Sequence, residues 1–448
     1  MTATGSCGSG RGARLVRRAL IGVACAVLWS SVRLAWSASG DLDTTFGSGG
    51  QVTLRFSSDA GSPDIAAAVI AQPDGKLIVG GTKDWGRSGT QMVLARLNAD
   101  GSLDATFGTG GSTTPIDGEL SAVARQSDGK LVAVGSVTSG VVVARYNTNG
   151  VLDTAGFGAP GGVVTTQLPG SSAVATSVAI APDGKIVVAG LSYDAAAGGY
   201  DVAVLRLNAN GSLDGTFGAA GKVMTDVGGR DDAAFAVAVQ PDGKVVVAGH
   251  TFNSLTNGYD IALVRYDTNG FPDGGFGTAG KVMTDLGTRD DRAFGLVVQP
   301  DGKLVAAGQA FGFDLLDVAL VRYQASGAVD ATFGSAGKAV LAVSSGHDAA
   351  RAVALQGDGK LVVAGYANAA TSSDLAAARF NPDGNADVGF GAGGKVVTAA
   401  GTQADEALSV AIQPDGKIVA AGRTKVPFNG TFGGTDYQDD FLVVRYLP

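Results

Sequence analysis

Cysteine is close to absent from this chain. The two it has, Cys7 and Cys25, both lie in an N-terminal leader, so the remainder carries no thiol, and disulfides, thiolate metal sites and cysteine nucleophiles are excluded together. Histidine is equally scarce. With only His250 and His347, no two-histidine metal motif or Ser-His-Asp relay can be assembled without forcing, and His347 replaces an Arg in a recurring loop, which reads as a surface substitution rather than a general base. Charge is sparse too, at 17% of residues with a formal net charge of −8. Removing the leader, with its five Arg and no acid, takes the net charge from −8 to −13. So acidic a protein does not hold nucleic acid or an anionic membrane by charge alone. The 70 glycines follow no Gly-X-Y period and read as frequent turns. What is present in quantity is apolar: 45% hydrophobic residues, enough to bury a core.

The leader has a recognisable order. Arg11, Arg14, Arg17 and Arg18 precede the apolar run "ALIGVACAVLW" and then the small residues of "AWSAS", the arrangement of a secretory signal peptide over residues 1–37, with Ala35 and Ser37 before the cut. The apolar run is short for a membrane span. A lipoprotein reading at Cys25 has Gly22 where Leu is usual, and a twin-arginine reading at Arg17-Arg18 lacks the flanking residues. No later segment is a transmembrane candidate, and the chain stops at "VVRYLP" without a sorting tail. The expectation is a secreted, periplasmic or cell-surface protein with no membrane insertion after signal cleavage, in which residues 38–448 form one domain.

Self-similarity dominates that domain. The strand-turn-strand motif recurs seven times as "QPDGKLIVGG" at 72, "QSDGKLVAVG" at 126, "APDGKIVVAG" at 181, "QPDGKVVVAG" at 240, "QPDGKLVAAG" at 299, "QGDGKLVVAG" at 356 and "QPDGKIVAAG" at 413. An Arg at the end of the third strand (Arg96, Arg145, Arg206, Arg265, Arg322, Arg379, Arg445) and an Asp-x-x-Phe-Gly corner (Asp43, Asp104, Asp153, Asp214, Asp273, Asp330, Asp387) travel with it. Each unit occupies about 50–61 residues, at the upper end of one propeller blade's length. Asp-Gly-Lys here is no phosphate loop, because two strand-like runs bracket it and no helix follows. It reads as a hairpin turn, with Asp-Gly in the positive-φ positions of type I′ and Pro just before it at the strand end.

Four strands fit in each unit, as in "AAFAVAVQ", "KVVVAG", "YDIALVRY" and "GKVMTDL" of residues 233–286. Their apolar runs are nearly continuous, so both sheet faces are buried. Four-stranded sheets that cover one another are the stacked blades of a β-propeller, and the Ala-rich first run suits the crowded axis. An open solenoid would need atypical capping repeats, and none is visible. The last unit lacks a fourth strand unless the N-terminal "GQVTLRF" supplies it. The expected fold is therefore all-β: a seven-bladed β-propeller of four-stranded antiparallel blades, closed by Gln51–Phe56 as the outer strand of the last blade.

The corner "LDxTFGxxGKV", the hairpin "QPDGKIVVAG" and the strand "DxALVRYNxDG" resemble the delta-60 repeat, a tandem unit of exported bacterial proteins, over nearly all of residues 38–448. The resemblance implies an exported repeat protein and brings no catalytic residues. The chain departs from it at "LDTAGFG" (152), around "TTPIDGELSAVA" and in a long insertion at 423–438.

Loop geometry sorts the candidate sites. The Asp-Gly turns and Phe-Gly corners share one face, and the irregular segments share the other. Recurrent Arg and Asp, such as Arg206 with Asp214, Arg265 with Asp273 and Arg322 with Asp330, are expected as structural clamps, since a buried charge needs a partner. On the irregular face Trp85, Phe252, Tyr259, Phe311, Phe313, Phe428, Phe432 and Tyr437 are candidates for a platform on which a sugar could stack, against the alternative that they pin their own loops. Asp231, Asp232, Asp290, Asp291, Asp348, Asp405 and Glu406 are expected to approach the channel mouth. There they would hold a hard cation such as Ca²⁺ or be solvated acids paired with Arg230, Arg289 and Arg292. No other cofactor is implied. The resulting expectation is a non-enzymatic propeller that binds a carbohydrate or protein at or near the cell surface. The alternatives are a hydrolase or lyase using two carboxylates at the channel mouth and a purely structural envelope protein.

Overall fold

A computed structural model describes residues 38–59, 61–84, 89–196, 198–287, 289–312, 314–368, 372–429 and 435–448. The signal-peptide expectation for 1–37 lies outside them. Among the described residues the strands form seven four-stranded antiparallel sheets. Six of them use four strands in chain order. In blade 4, for example, these are Asp232–Val239, Val245–Asn253, Gly258–Tyr266 and Lys281–Thr284. The first strand of each blade packs against the first strands of its neighbours, which makes the sheets a seven-bladed β-propeller with first strands innermost.

The near-continuous apolar runs are buried because each blade packs on the next. Val187, Ala189, Val202, Val204 and Phe217 of blade 3 form one core with Ala234, Val237, Val245 and Val247 of blade 4. A buried bond joins the same pair, from the Tyr266 hydroxyl to Thr225 Oγ1 at 2.8 Å.

Blade 7 is built from both ends of the chain. Asp405–Ile412, Ile418–Asn429 and Thr435–Tyr446 supply three strands, and Gln51–Leu54 pairs with the last of them from Gln51 opposite Val444 to Leu54 opposite Phe441. The pairing ends two residues earlier than expected. Arg55 leaves the ladder to bond Asp440 at 2.9 Å, and Phe56 packs edge-on against Phe441 with ring centroids 5.1 Å apart.

The Asp-Gly turns differ from the type I′ expectation. In Gln240–Lys244 the Gly243 N–H donates to the Gln240 carbonyl at 2.9 Å and the Gln240 N–H to the Lys244 carbonyl at 2.8 Å. Gly243 has φ +83°, whereas Asp242 is not among the positive-φ residues. Pro241 occupies the second position of a type I turn, where its fixed φ fits, and the glycine completes a left-handed bulge. Lys244 turns back to Asp273 of its own blade at 2.9 Å, a contact with no phosphate role.

The recurring Arg and Asp meet in every blade. Arg206 Nε lies 2.7 Å from Asp214 Oδ2, and Arg265 from Asp273 and Arg322 from Asp330 each lie 2.8 Å apart. Each guanidinium also reaches forward to the next blade, as Arg206 does to the Thr268 carbonyl at 2.8 Å. It covers the buried Phe of its own corner, with Arg206 4.4 Å above the Phe217 ring.

Candidate functional site

The site begins with a glycine. The last Gly of each hairpin motif faces the innermost strand so closely that a Cβ at Gly249 would lie 1.8 Å from the Ala233 carbonyl oxygen, and one at Gly308 or Gly365 would lie 1.9 Å from Arg292 or Ala349 oxygen. Opposite it, the innermost strand carries one extra residue. Pairing skips Phe235 between Ala234 and Ala236, Phe294 between Ala293 and Gly295, and Arg351 between Ala350 and Ala352. In the other blades it skips Ala67, Ser121, Thr176 and Leu408. Such bulges bend a strand and re-aim one side chain. All seven skipped residues are half-buried on the innermost strands.

In three consecutive blades that residue is an aromatic or an arginine. Phe235 and Phe294 stand with ring centroids 5.2 Å apart, and the Arg351 guanidinium lies 4.7 Å from the Phe294 centroid and 5.3 Å from that of Tyr366. The cluster continues outward through His250, 5.3 Å from Phe235 and 4.5 Å from Tyr259, while Arg292 lies over Tyr259 at 4.4 Å. Burial, and then the charge of Arg292, push the His250 imidazole down to about 3. It is therefore neutral near pH 7 and is part of the packing, not a base. His347 accepts the Leu316 N–H at its Nδ1 over 3.0 Å, which holds a loop. Among the described residues Arg351 makes no ion pair.

The irregular face divides the rim candidates. Tyr259 and Phe252 are a cross-strand pair 5.5 Å apart in blade 4, with Arg230 5.8 Å above Phe252. Phe311 of blade 5 lies under Arg289 at 5.4 Å, beside a groove of about 450 Å³ lined by Thr256, Asn257, Arg289, Asp290 and Phe311. Phe428 and Tyr437 are elsewhere, on the long hairpin of blade 7, where Phe428 covers Gly61 and Tyr437 is 41% exposed. One platform is thus replaced by separate groups, because blade 7 does not neighbour blades 4 and 5 in the ring. Trp85, Phe313 and Phe432 lie outside the described residues.

The acids also differ from a ring at the channel mouth. Asp232, Asp291, Asp348 and Asp405 are buried at the start of their innermost strands and turn back onto the segment that enters the blade. Asp232 Oδ2 accepts the Val227 and Gly228 N–H groups at 2.5 and 3.3 Å, and Asp405 Oδ2 those of Ala400 and Gly401 at 2.7 and 2.9 Å. Asp291 accepts from Leu286 and Phe311, and Asp348 from Val343 and Ser344. Asp64 makes the same contact with Phe56 and Ser57. The reason is physical: a chain crossing from one blade's outer edge to the next blade's axis exposes N–H groups that a buried carboxylate can satisfy. Asp231 and Asp290 accept the N–H groups of Tyr200 and Tyr259 at 3.1 and 3.2 Å, and Glu406 pairs with Arg423 at 2.8 Å. Burial raises the Asp232 carboxyl and lifts that of Asp291 to about 6 against its backbone hydrogen bonds. With side chains this deeply enclosed, neither can approach a glycosidic bond.

Sequence reasoning missed Phe235, Phe294 and Arg351. The available signal was the glycine inside a strand pattern, which marks a bulge, together with aromatic or charged residues at a position held by Ala67, Ser121 and Thr176 in blades 1 to 3.

Comparison with known proteins bears on the fold. Residues 72–107, 126–155, 181–217, 240–276, 299–333 and 356–390 match the family described as "Domain of unknown function (DUF5122) beta-propeller". No curated protein matches the chain. Among solved structures, virginiamycin B lyase from Staphylococcus aureus is similar with a TM-score of 0.50 and 11% identity, over 89% of this chain and 98% of that one. Sqt1 from Chaetomium thermophilum, bound to the N-terminus of the ribosomal protein L10, has a TM-score of 0.45 and 14% identity over 89% and 100% of the two chains. The polysaccharide lyase Uly1 has a TM-score of 0.45 and 11% identity over 86% and 90%. For virginiamycin B lyase, at 11% identity, the likeness is one of fold.

Proposed function

We propose that this propeller with DUF5122 repeats is an exported, non-enzymatic binding module, and that its ligand is a carbohydrate carrying acidic groups, held at or near the cell surface. The observation that carries the reading is the arc of Phe235, Phe294 and Arg351, three bulged side chains set side by side on a rigid ring. Aromatic faces stack on the apolar faces of sugar rings, and a guanidinium pairs with a carboxylate in a planar, two-point contact. The overall negative charge of the protein adds selectivity, since it repels acidic chains everywhere except where an Arg is presented. The leader supports export by its Arg-rich start, apolar run and small residues before position 38.

The test is affinity electrophoresis of purified residues 38–448 in gels cast with neutral and uronate-containing polysaccharides. The acidic polymers should retard the protein. Phe294→Ala should weaken retardation at least tenfold, and Arg351→Ala should remove the preference for the acidic polymer. Retardation unchanged by both substitutions would overturn the reading, as would a tight protein partner with no glycan bound. Fractionation of the producing cells tests export separately.

A further inference from the structure

Two junctions between blades contain a group of carboxylates that the Arg–Asp clamps do not explain. At the junction of blades 3 and 4 these are Asp201, at the start of the third strand Gly199–Leu207; Asp226, just after the fourth strand Lys222–Thr225; and Asp232, which opens the next innermost strand. At the junction of blades 4 and 5 the equivalent positions hold Asp260, Asp285 and Asp291. Within each trio, one ligand oxygen per residue lies within 4.8 Å of the other two.

Proximity alone would make these ordinary acids, but their oxygens are not accounted for. Asp201, Asp232 and Asp260 are 3%, 0% and 3% exposed, and Oδ1 of Asp201 and of Asp260 has no hydrogen-bond partner. Buried acceptors are normally satisfied, and three carboxylates together repel one another. One lysine stands beside each trio, bonded to main chain and not to a carboxylate, and Lys281 offsets only part of the charge around Asp201. Lys281 donates to the Asp226 main-chain carbonyl, and Lys338 to that of Asp285. Asp194 adds further negative charge near Asp201.

The molecule contains its own comparison. At the junction of blades 7 and 1 the position of Asp226 is taken by Arg55, whose guanidinium lies 2.9 Å from Asp440, the counterpart of Asp201. At that junction a positive charge of the chain itself fills the place. Between blades 5 and 6, and 6 and 7, the same position is Ala342 or Ala399 and only two acids remain: Asp317 with Asp348, and Asp374 with Asp405. The third acid is confined to the two trios.

We propose that Asp201, Asp226 and Asp232 form one divalent-cation site and Asp260, Asp285 and Asp291 a second, each for a hard, oxygen-seeking ion of the calcium class. Two oxygens on opposite sides of Ca²⁺ are about 4.8 Å apart, since each lies about 2.4 Å from the ion, and the trios fit within that span. Asp226 and Asp285 are exposed and give the ion its way in. Asp232 and Asp291 keep their backbone bonds and use their remaining lone pairs. This proposal is independent of the carbohydrate reading, and the acids expected at the channel mouth contribute to it only through Asp232 and Asp291.

The experiment is calorimetric titration of chelator-treated residues 38–448 with CaCl₂, with Tb³⁺ luminescence as a second readout. Two ions per chain are expected. Asp226→Asn and Asp285→Asn should each remove one, and the double variant should bind none while melting as the parent does in chelator, because both side chains are exposed. Asp226→Arg, which copies Arg55, should abolish binding at the first site and raise the melting temperature in chelator. No saturable uptake at millimolar Ca²⁺ would overturn the proposal, as would two ions bound by the double Asn variant.

Discussion

Arg445 Nε donates to Asp43 Oδ2 across 2.9 Å, joining the last strand to the first corner over 402 residues of sequence. In the other blades the same pair is eight residues apart, as with Arg265 and Asp273, and holds one blade together. Here it also closes the ring, alongside the pairing of Gln51–Leu54 with the last strand.

Arg445→Ala should therefore destabilise the protein by about 2–3 kcal/mol, because Asp43 loses its charge-assisted bonds to Arg445 while it keeps Lys417 at 3.2 Å. It should also detach the N-terminal strand, which the same substitution at Arg265 should not do. Hydrogen exchange at Gln51–Leu54 separates the two. Protection there lost in Arg445→Ala and kept in Arg265→Ala is the expected outcome, and equal protection in both would show that the pair does not secure the closure.

Stability should depend on pH in two opposite ways. At Asp273, hydrogen bonds from Lys244 and the Gly275 N–H lower the carboxyl from 3.8 to about 2. Its contribution is complete above 3.8 and is lost as the pH falls toward 2. Asp291 is raised by burial, and then, against backbone hydrogen bonds, by Asp285 and Asp260, to about 6. Asp201 is raised by burial and by Asp232, Asp226 and Asp194, also to about 6. Between 3.8 and 6 the folded state holds protons that the unfolded state has released, so these groups lower stability as the pH rises through that window. In chelator the melting midpoint should rise from pH 7 to pH 5 and fall below pH 4. Saturating Ca²⁺ should flatten the upper part. A midpoint that falls steadily from pH 7 downward would contradict the burial of these acids.

Gly249→Ala should cost at least about 2 kcal/mol, because a Cβ would meet the Ala233 carbonyl oxygen at 1.8 Å and the bulge that aims Phe235 would have to open. Gly274→Ala is the control. Nothing lies within 4 Å of a Cβ there, other repeats carry Ala at the same place in the corner, as at Ala105, and the change should stay within about 0.5 kcal/mol. Urea denaturation of the two variants measures the difference.

Particular residues show why some features were legible and others were not. Arg206 and Asp214 recur at a fixed spacing, and a repeated charge on an apolar strand needs a repeated partner, so the clamp could be read in one dimension. The hairpin at Gln240–Lys244 was readable as a turn, but its type was not, since the same bonds close the copies that have Ser127 or Gly357 in place of Pro241. Loop geometry puts the segments of Asp232 and Asp291 on the irregular face, from which a channel-mouth position is expected. Their side chains instead turn back to N–H groups of the crossing segment, which strand alternation does not reveal. Phe235 and Phe294 looked like members of Ala-rich inner runs, since a bulge changes where a side chain points without changing composition.

What the chain determined by itself was periodic: the repeat count, four strands per unit, the buried strand faces, and a first strand left over for the last sheet. Each of these follows from local patterning that every copy restates. What the tertiary structure decided was which unlike residues from different copies meet. Asp201, Asp226 and Asp232 come together because a crossing segment carries the chain from one blade's outer edge to the next blade's axis, and Phe235, Phe294 and Arg351 meet because successive bulges turn them toward one another. Such meetings depend on ring geometry, and a repeat cannot encode them because it specifies the copies only where they are alike.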